Sequence, residues 1–191
     1  MKEKKALILM DFINEIIHPD GKFKGKGYAD FAIKNNVLQK VNQAIKVARE
    51  NEIEVIFVKV GFNQDYKNQP KNSILFGKAH EFKALSLGTW STELESSIDM
   101  LDTDLVVIKN RISPFYGTNL DSYLRNNNIS SLYFAGVATD LVVQSAARDA
   151  HDRDYNVFII PECCAAGSDE DHSTALTTMS KISTIISLSD F

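Results

Sequence analysis

The sequence contains few of the residues that would mark a disulfide-bonded or metal-binding protein. Its 191 residues include only two cysteines. These are Cys163 and Cys164, and adjacent cysteines are poorly placed to form a disulfide or a zinc site. The four histidines are scattered along the chain, and none lies at the short spacing of a zinc-binding pair. We therefore expect a reduced, intracellular chain that uses no metal and no other cofactor.

An excess of positive charge and long apolar runs are also missing. The chain carries 21 Lys and Arg against 25 Asp and Glu, a net charge of −4, whereas a nucleic-acid groove needs a basic stripe. Its first apolar run is about six residues long, too short for a signal peptide or for the roughly 20 residues that cross a bilayer. We expect a cytoplasmic protein with no nucleic-acid or membrane partner.

What is present is typical of one α/β domain. The hydrophobic fraction is 44% and the charged fraction 24%, and residues 1–191 suffice for a single domain with a real core. Short aliphatic runs alternate with amphipathic stretches, which predicts a Rossmann-like three-layer fold with a mostly parallel six-stranded sheet and helices on both faces. The predicted strands are residues 6–10, 53–60, 105–108, 132–135, 157–160 and 182–188, the predicted helices 37–48, 119–126, 140–153 and 169–181, and the predicted long loops 18–28 and 62–88.

Polar residues follow three of the predicted strands, where ligands of parallel sheets collect. Asp11 follows the first strand, Lys109 the third, and the turn of residues 136–139 follows the fourth and opens a helix. A carboxylate and an ammonium that meet in a cleft shift each other's pKa values and suit proton transfer. Taken alone, Asp11 would equally be a turn residue and Lys109 a surface lysine. Together with the turn they predict an active site.

These segments resemble the isochorismatase-like, or cysteine hydrolase, superfamily. The resemblance rests on the sequences LMDFIN around Asp11, KNRISPFYGT from Lys109, and GVATDLVVQSAARDAHDRDY from residue 136. Residues 88–90 and 161–165 look like later loops of the family. The order of these segments and their spread over nearly the whole chain make the resemblance specific.

The resemblance implies a catalytic set of an aspartate, a lysine and a cysteine. Asp11 matches the acid/base and Lys109 its cationic partner. The bond between Val137 and Ala138 matches a cis peptide, and the amides of Ala138 and Val142 would form an oxyanion hole. The nucleophilic cysteine of most relatives is replaced by Val142, which cannot attack a carbonyl. Covalent amide hydrolysis by the usual route is therefore excluded.

One branch of the superfamily, the isochorismatases proper, works without the cysteine. There the aspartic acid protonates the enol ether of isochorismate and water completes the release of pyruvate, which needs a general acid rather than a nucleophile. Cys163 and Cys164 follow the fifth strand, and either would serve as a nucleophile or as a buried, inert thiol.

Six further residues are candidates for substrate binding. The aromatic ones would wall a small cyclic substrate or belong to the core, and the charged one would bind a carboxylate or form an internal salt bridge. The turn threonine opens the helix beside the site. These residues are Phe12, Trp90, Arg111, Phe115, Tyr116 and Thr139.

The leading hypothesis is a hydrolase of a small-molecule substrate that uses Asp11 and Lys109 without a covalent intermediate. The alternative is a non-catalytic family member that retains the pocket for binding or assembly. A receiver-type signalling domain would also place an aspartate after its first strand, but it needs an acidic cluster around Mg²⁺, and Met10 precedes Asp11 here. The resemblance also implies a homodimer or homotetramer.

Overall fold

The computed structural model describes residues 3–191 and contains one six-stranded sheet. Every neighbouring pair of strands is parallel, and the strand order is β3-β2-β1-β4-β5-β6. The central strand β1 is fully buried from Ala6 to Met10, as expected for a parallel strand that is covered on both faces. The strands are Lys4–Met10 (β1), Glu54–Val60 (β2), Leu105–Lys109 (β3), Ile129–Val137 (β4), Asn156–Ala165 (β5) and Thr184–Ile185 (β6).

Six α-helices connect or flank these strands. A single turn of π-helix, Thr139–Val143, runs directly into the fifth of them. Short 3-10 turns occupy Lys24–Lys26, Trp90–Thr92 and Leu188–Asp190. The helices are Asn14–Ile17 (α1), Tyr28–Lys34 (α2), Val37–Glu50 (α3), Leu120–Asn126 (α4), Gln144–His151 (α5) and Asp169–Met179 (α6).

The direction of the chain reverses at the centre of the sheet. From β1 the chain proceeds outwards through β2 to β3, and then returns to β4 on the other side of β1. Because parallel crossovers are right-handed, the connections on the two sides of β1 lie on opposite faces. Accordingly α3 packs on β1, β2 and β5, while α4 packs on β4 and α5 packs on β4 and β5. The switch point between β1 and β4 is where open α/β sheets bind ligands.

Helix α3 fixes the long connection between β2 and β3. Its buried residues recur at three- and four-residue spacing, so one apolar stripe faces the sheet. On its outer side, Arg49 donates hydrogen bonds to Asp99 and Asp104, and Asn42 bonds Ser97 and the Asp99 amide. The connection is therefore held against the same face of the sheet as α3.

The predicted fold class is confirmed, and most element predictions are close. The strands predicted at 132–135 and 157–160 are longer in the structure, where β4 spans Ile129–Val137 and β5 spans Asn156–Ala165. The other main differences concern short elements. The predicted strand 182–188 shrinks to Thr184–Ile185, because only Phe158 and Ile159 of β5 pair with it. The helices α1 and α2 were not predicted, since four and seven residues are too few to show a helical period. The predicted helix 140–153 begins with the π-helical turn rather than with an α-helix.

The helices of the described chain are short. No helix among residues 3–191 combines the length and the apolar character that crossing a membrane requires.

Gly136 in β4 permits a close approach of two strands. A Cβ atom added at this position would lie 2.8 Å from the Met10 carbonyl oxygen and 3.0 Å from the Met10 Cβ. We expect Gly136→Ala to lower the free energy of unfolding by about 1 to 3 kcal/mol, because strand backbone must shift to admit the methyl group. Urea unfolding measures the change. Gly25→Ala is the matched control, since a Cβ there would meet nothing within 4 Å. Equal stability of the two variants would contradict this close approach.

Candidate active site

Asp11 is the first residue after β1, and its backbone turns sharply. Its φ is 62°, in the left-handed region that aspartate and asparagine adopt more readily than most residues. Its amide still donates to the Val58 carbonyl of β2 at 2.8 Å. Its carboxylate oxygen Oδ1 accepts a hydrogen bond of 2.8 Å from the Val60 amide. The residue is thus held at the carboxyl end of the sheet by two bonds to the neighbouring strand.

Lys109 reaches the same point from the other side of β2. It is the last residue of β3 and pairs with Val60, so the end of β2 lies between lysine and aspartate. Its Nζ atom lies 2.7 Å from Oδ2 of Asp11 and donates to the Arg111 carbonyl at 3.1 Å. The two side chains are only 1% and 5% exposed. Removing one partner of such a buried pair typically costs about 3 to 5 kcal/mol, because the other charge is left uncompensated.

Burial governs the protonation of Asp11. Loss of hydration raises the pKa of its carboxyl, and the Lys109 charge and the hydrogen bonds from Lys109 and Val60 oppose that rise. The carboxyl group therefore keeps a proton to a higher pH than an exposed aspartic acid. A carboxylic acid with a raised pKa, held in a cavity, suits general acid catalysis.

The opposite wall is the turn that follows β4. The peptide bond between Val137 and Ala138 is cis, and the Ala138 carbonyl accepts hydrogen bonds from the amides of Leu141 and Val143 at 3.2 and 3.3 Å. These bonds close the π-helical turn that carries Val142, which is buried. The turn therefore presents the cis peptide and the Val142 side chain to the same space. The predicted oxyanion role of the Ala138 and Val142 amides stays a prediction.

Thr139 is held by residues from two other elements. Its hydroxyl donates to the Ala165 carbonyl at 3.1 Å and lies 2.9 Å from Nδ1 of His172 on α6. Because the threonine proton is used for Ala165, we assign the proton of this second bond to His172 Nδ1. Burial lowers the pKa of His172. Sequence reasoning missed this supporting histidine, since α6 is distant from the turn along the chain.

A small cavity lies between these walls. Its volume is about 40 Å³, room for about one or two water molecules. Among the residues that line it, only Asp11 and Lys109 carry charged side chains. Because the other lining side chains are uncharged, the local dielectric constant is low, and the interaction between Asp11 and Lys109 is stronger than it would be in water. Its walls are Asp11, Ile16, Phe23, Tyr28, Val60, Leu75, Phe76, Leu85, Lys109, Ile112, Val137, Ala138, Leu141 and Val142.

Several of these walls come from the two predicted long loops. Phe23 belongs to the segment 18–28, and Leu75, Phe76 and Leu85 belong to the segment 62–88. The length of the loops predicted that they shape a site. Which side chains point inwards was not predictable, because irregular segments have no period that separates buried from exposed positions.

The predicted aromatic substrate-binding residues lie outside this lining. Phe12 is fully buried in the core, and Phe115 is buried against Tyr155. Trp90 is about half exposed and meets the His18 ring edge-on, while Tyr116 lies on the surface.

The predicted polar residues are also occupied within the fold. Arg111 donates to the carbonyls of Asn68 and Asn110, so its guanidinium holds two loops together. Thr139 sits behind the turn rather than in the cavity lining. The substrate-binding roles of these residues stay predictions.

Neither cysteine reaches the cavity. Cys163 and Cys164 were predicted to follow the fifth strand, but both lie within β5, which extends to Ala165. Both are buried, and neither belongs to the lining. The Cys164 thiol donates to the Ile160 carbonyl at 3.4 Å, and burial raises its pKa to about 12. Burial likewise raises the pKa of Cys163. Both thiols therefore resist conversion to the nucleophilic thiolate. Across residues 3–191, no three His, Cys, Asp or Glu side chains cluster in a way that could hold a metal ion.

The chain is similar to known proteins along most of its length. Residues 5–190 match the family model described as the isochorismatase domain. The chain is 31% identical over 187 residues to the ureidoacrylate amidohydrolase RutB of Acinetobacter baylyi, with 91% of this chain and 76% of that protein covered.

Solved structures share the fold. An isochorismatase family protein from Desulfovibrio vulgaris superposes with a TM-score of 0.86 at 20% identity, covering 98% of this chain and 96% of that one. The N-carbamoylsarcosine amidase from Thermoplasma acidophilum superposes with a TM-score of 0.77 at 26% identity, covering 97% and 96%.

The burial of His172 makes the stability of the folded chain depend on pH. Because burial lowers the pKa of His172 in the folded chain, the unfolded chain takes up that proton at a higher pH. The contribution of His172 is therefore complete above about pH 6.5 and is lost as the pH falls below it. We expect His172→Asn, which keeps a donor near Thr139 but cannot be charged, to lose less stability than the parent chain between about pH 7 and about pH 5.

Chemical denaturation at a series of pH values measures this difference. The exposed His80→Asn variant is the control and should keep the pH dependence of the parent chain. A His172→Asn curve parallel to that of the parent would show that His172 does not couple folding to pH.

Proposed function

The chain belongs to the isochorismatase family and is a hydrolase of that family, and we propose that it cleaves a small molecule with Asp11 and Lys109 as its acid–base pair. In this proposal no covalent intermediate forms. The observation that carries it is the 2.7 Å contact between the buried carboxyl and ammonium groups in a cavity whose other walls carry no charge.

The proposed first step is proton transfer from Asp11 to the substrate. For an enol ether of the isochorismate type, the carbon–carbon π electrons take the proton of the Asp11 carboxyl at the methylene carbon, which leaves an oxocarbenium ion. The raised pKa of Asp11 supports this role, because the acid form must be present before it can donate. Lys109 stabilises the carboxylate that remains, since its ammonium lies in hydrogen-bond contact with it.

The proposed second step is attack by water on the oxocarbenium carbon. The Asp11 carboxylate takes the proton that the water gives up, which restores the acid. The resulting hemiketal then breaks into pyruvate and an alcohol. The apolar lining supports this sequence, because a desolvated site strengthens the interaction between the carboxylate and the developing cation.

Three features argue against a thiol route. Val142 occupies the position that the family resemblance assigns to the nucleophile. Cys163 and Cys164 lie outside the cavity lining, and burial raises both of their pKa values. A thiolate nucleophile needs the opposite shift.

Amide hydrolysis is the second candidate, because a ureidoacrylate amidohydrolase is similar to this chain over most of its length. In that case the Asp11 carboxylate would take a proton from water as the water attacks the amide carbonyl, and Lys109 would face the resulting oxyanion. When the carbonyl re-forms, the carbon–nitrogen bond breaks and Asp11 returns the proton to the leaving nitrogen. The two candidates differ in their products: the first releases pyruvate and the second releases ammonia or an amine.

Asp11→Asn tests the proposal. Incubation of the parent chain with isochorismate and with a panel of small amides, with pyruvate and ammonia followed separately, identifies the reaction. The variant should then lose about 10²- to 10⁴-fold in kcat, the usual contribution of a positioned general acid or base. Asp102→Asn, at an exposed site, is the control and should keep full activity.

Since the Asp11→Asn change leaves Lys109 without its charged partner, circular dichroism of the variant must show that it is folded. The double variant Asp11→Asn/Lys109→Met removes both charges and should be equally inactive. A folded Asp11→Asn variant with full turnover would overturn the mechanism. Absence of turnover by the parent chain on every substrate would favour a non-catalytic family member that keeps the pocket for binding.

A further inference from the structure

A second, much larger space adjoins the cavity at the surface. We call it the lysine groove. It is formed by the segment before α2 and the connection between β2 and β3, and its volume is about 600 Å³, within the range of about 300 to 1,000 Å³ that is usual for ligand sites. Its lining is Lys22, Phe23, Lys26, Ile74, Leu75, Phe76, Lys78, Ala79, Phe82, Ala84 and Leu85.

The groove exposes large apolar side chains to water. Ile74 is fully exposed at 107%, Phe82 is 64% exposed and Leu75 is 40% exposed. Scattered apolar residues are normal on a surface, but a contiguous patch with a polar rim marks a binding site. A ligand with an apolar body would cover these side chains.

The charged side chains of the groove are all positive. They are Lys22, Lys26 and Lys78, and no acidic side chain belongs to the lining, although the whole chain has a net charge of −4. Lys22 is partly engaged, because it lies 3.4 Å from the buried Glu15. Lys26 and Lys78 form no salt bridge with any residue of the described range 3–191. The groove therefore favours an anionic group.

The groove and the Asp11–Lys109 cavity share a wall. Phe23, Leu75, Phe76 and Leu85 line both spaces. Phe76 and Leu85 are buried, while Leu75 is 40% exposed, so Leu75 can move into solvent at little packing cost. The cavity, at about 40 Å³, is far smaller than a usual ligand site. Only the reacting group of a substrate would fit beside Asp11.

We infer that the lysine groove binds a small anionic amphiphile, a molecule with an apolar body and an acidic group, and that this is the part of the substrate that the cavity cannot hold. The apolar body lies along Ile74, Leu75 and Phe82, and Lys26 and Lys78 face the acidic group. The assignment to the substrate rests on the proposed function, whereas the binding itself is independent of turnover.

The shape and charge of the groove favour a small molecule over larger partners. A second copy of this chain that packed symmetrically on the groove would bring Lys26 and Lys78 towards the same lysines of its partner, which is unfavourable. A membrane would meet the protruding Ile74 but leave the concave space of about 600 Å³ unfilled, whereas a small molecule fills such a space.

Fluorescence titration with 8-anilinonaphthalene-1-sulfonate, an anionic aromatic probe, tests the inference. N-phenyl-1-naphthylamine, which has the same rings without the sulfonate, is the matched neutral probe. We expect about one sulfonate probe to bind per chain and the neutral probe to bind more weakly. Lys26→Gln/Lys78→Gln should weaken sulfonate binding about fivefold and leave the neutral probe unaffected, as for two exposed ion pairs. Lys46→Gln/Lys181→Gln, which removes two exposed lysines elsewhere, should change neither.

A second variant pair tests the apolar walls. Ile74→Ser/Phe82→Ser should weaken both probes, while Met100→Ser/Leu101→Ser, which alters two exposed apolar residues outside the groove, should weaken neither. Asp11→Asn should bind the probes like the parent chain, so that failure of the catalytic proposal and failure of this one are told apart. Once a substrate is known, it should displace the sulfonate probe.

Several results would overturn the inference. They are equal binding of the charged and neutral probes, equal effects of the groove and control variants, and a substrate that leaves the bound probe in place. If the chain sediments with anionic lipid vesicles and binds no probe, the surface is a membrane-binding surface instead. If the chain is a dimer that dissociates in the Ile74→Ser/Phe82→Ser variant, the surface binds a second copy.

Discussion

Asp11 and Lys109 both become buried when the sheet forms. The free-energy cost of removing their charges from water is offset only because the two groups face each other at 2.7 Å. The end of β2 makes this possible, since Val60 pairs with Lys109 and its amide bonds the Asp11 carboxylate. Neither residue is stable in this position alone. The backbone of Asp11 has a positive φ, and in this conformation its carboxylate accepts the hydrogen bond from the Val60 amide.

The strand order decides what else meets this pair. Because β4 lies beside β1 and the chain reverses direction between them, the turn with the cis bond between Val137 and Ala138 closes the cavity opposite Asp11. Thr139 ties that turn to β5 and to His172 on α6. The result is a small space that combines one acid, one ammonium group and a hydrocarbon side chain, Val142, at the position where the family resemblance expects a thiol. This combination supports acid–base chemistry rather than acyl transfer.

Much of the fold was predictable from the sequence. Buried parallel strands have short aliphatic sequences, and the apolar residues of α3 recur at helical spacing. The family resemblance is likewise confirmed by the match of residues 5–190. Asp11 and Lys109 were found because both interrupt apolar runs at the same end of the sheet. The lining residues Phe23, Leu75 and Phe76 were not, since their direction is set by tertiary packing of loops. Substrate-binding roles for Trp90 and Tyr116 rested on residue type alone, and they remain predictions.

The central claim is that Asp11 is a buried, lysine-paired acid, and site-resolved ¹³C NMR titration of the aspartate carboxyl carbons tests it most directly. Burial raises the pKa values of both Asp11 and Asp140, so we predict two carboxyl signals that titrate above the ordinary range of aspartic acids, of which the Asp11→Asn variant loses one. If the variant instead loses a carboxyl signal that titrates within the ordinary range, the Asp11 carboxyl is not held as described, and the proposed acid chemistry loses its basis.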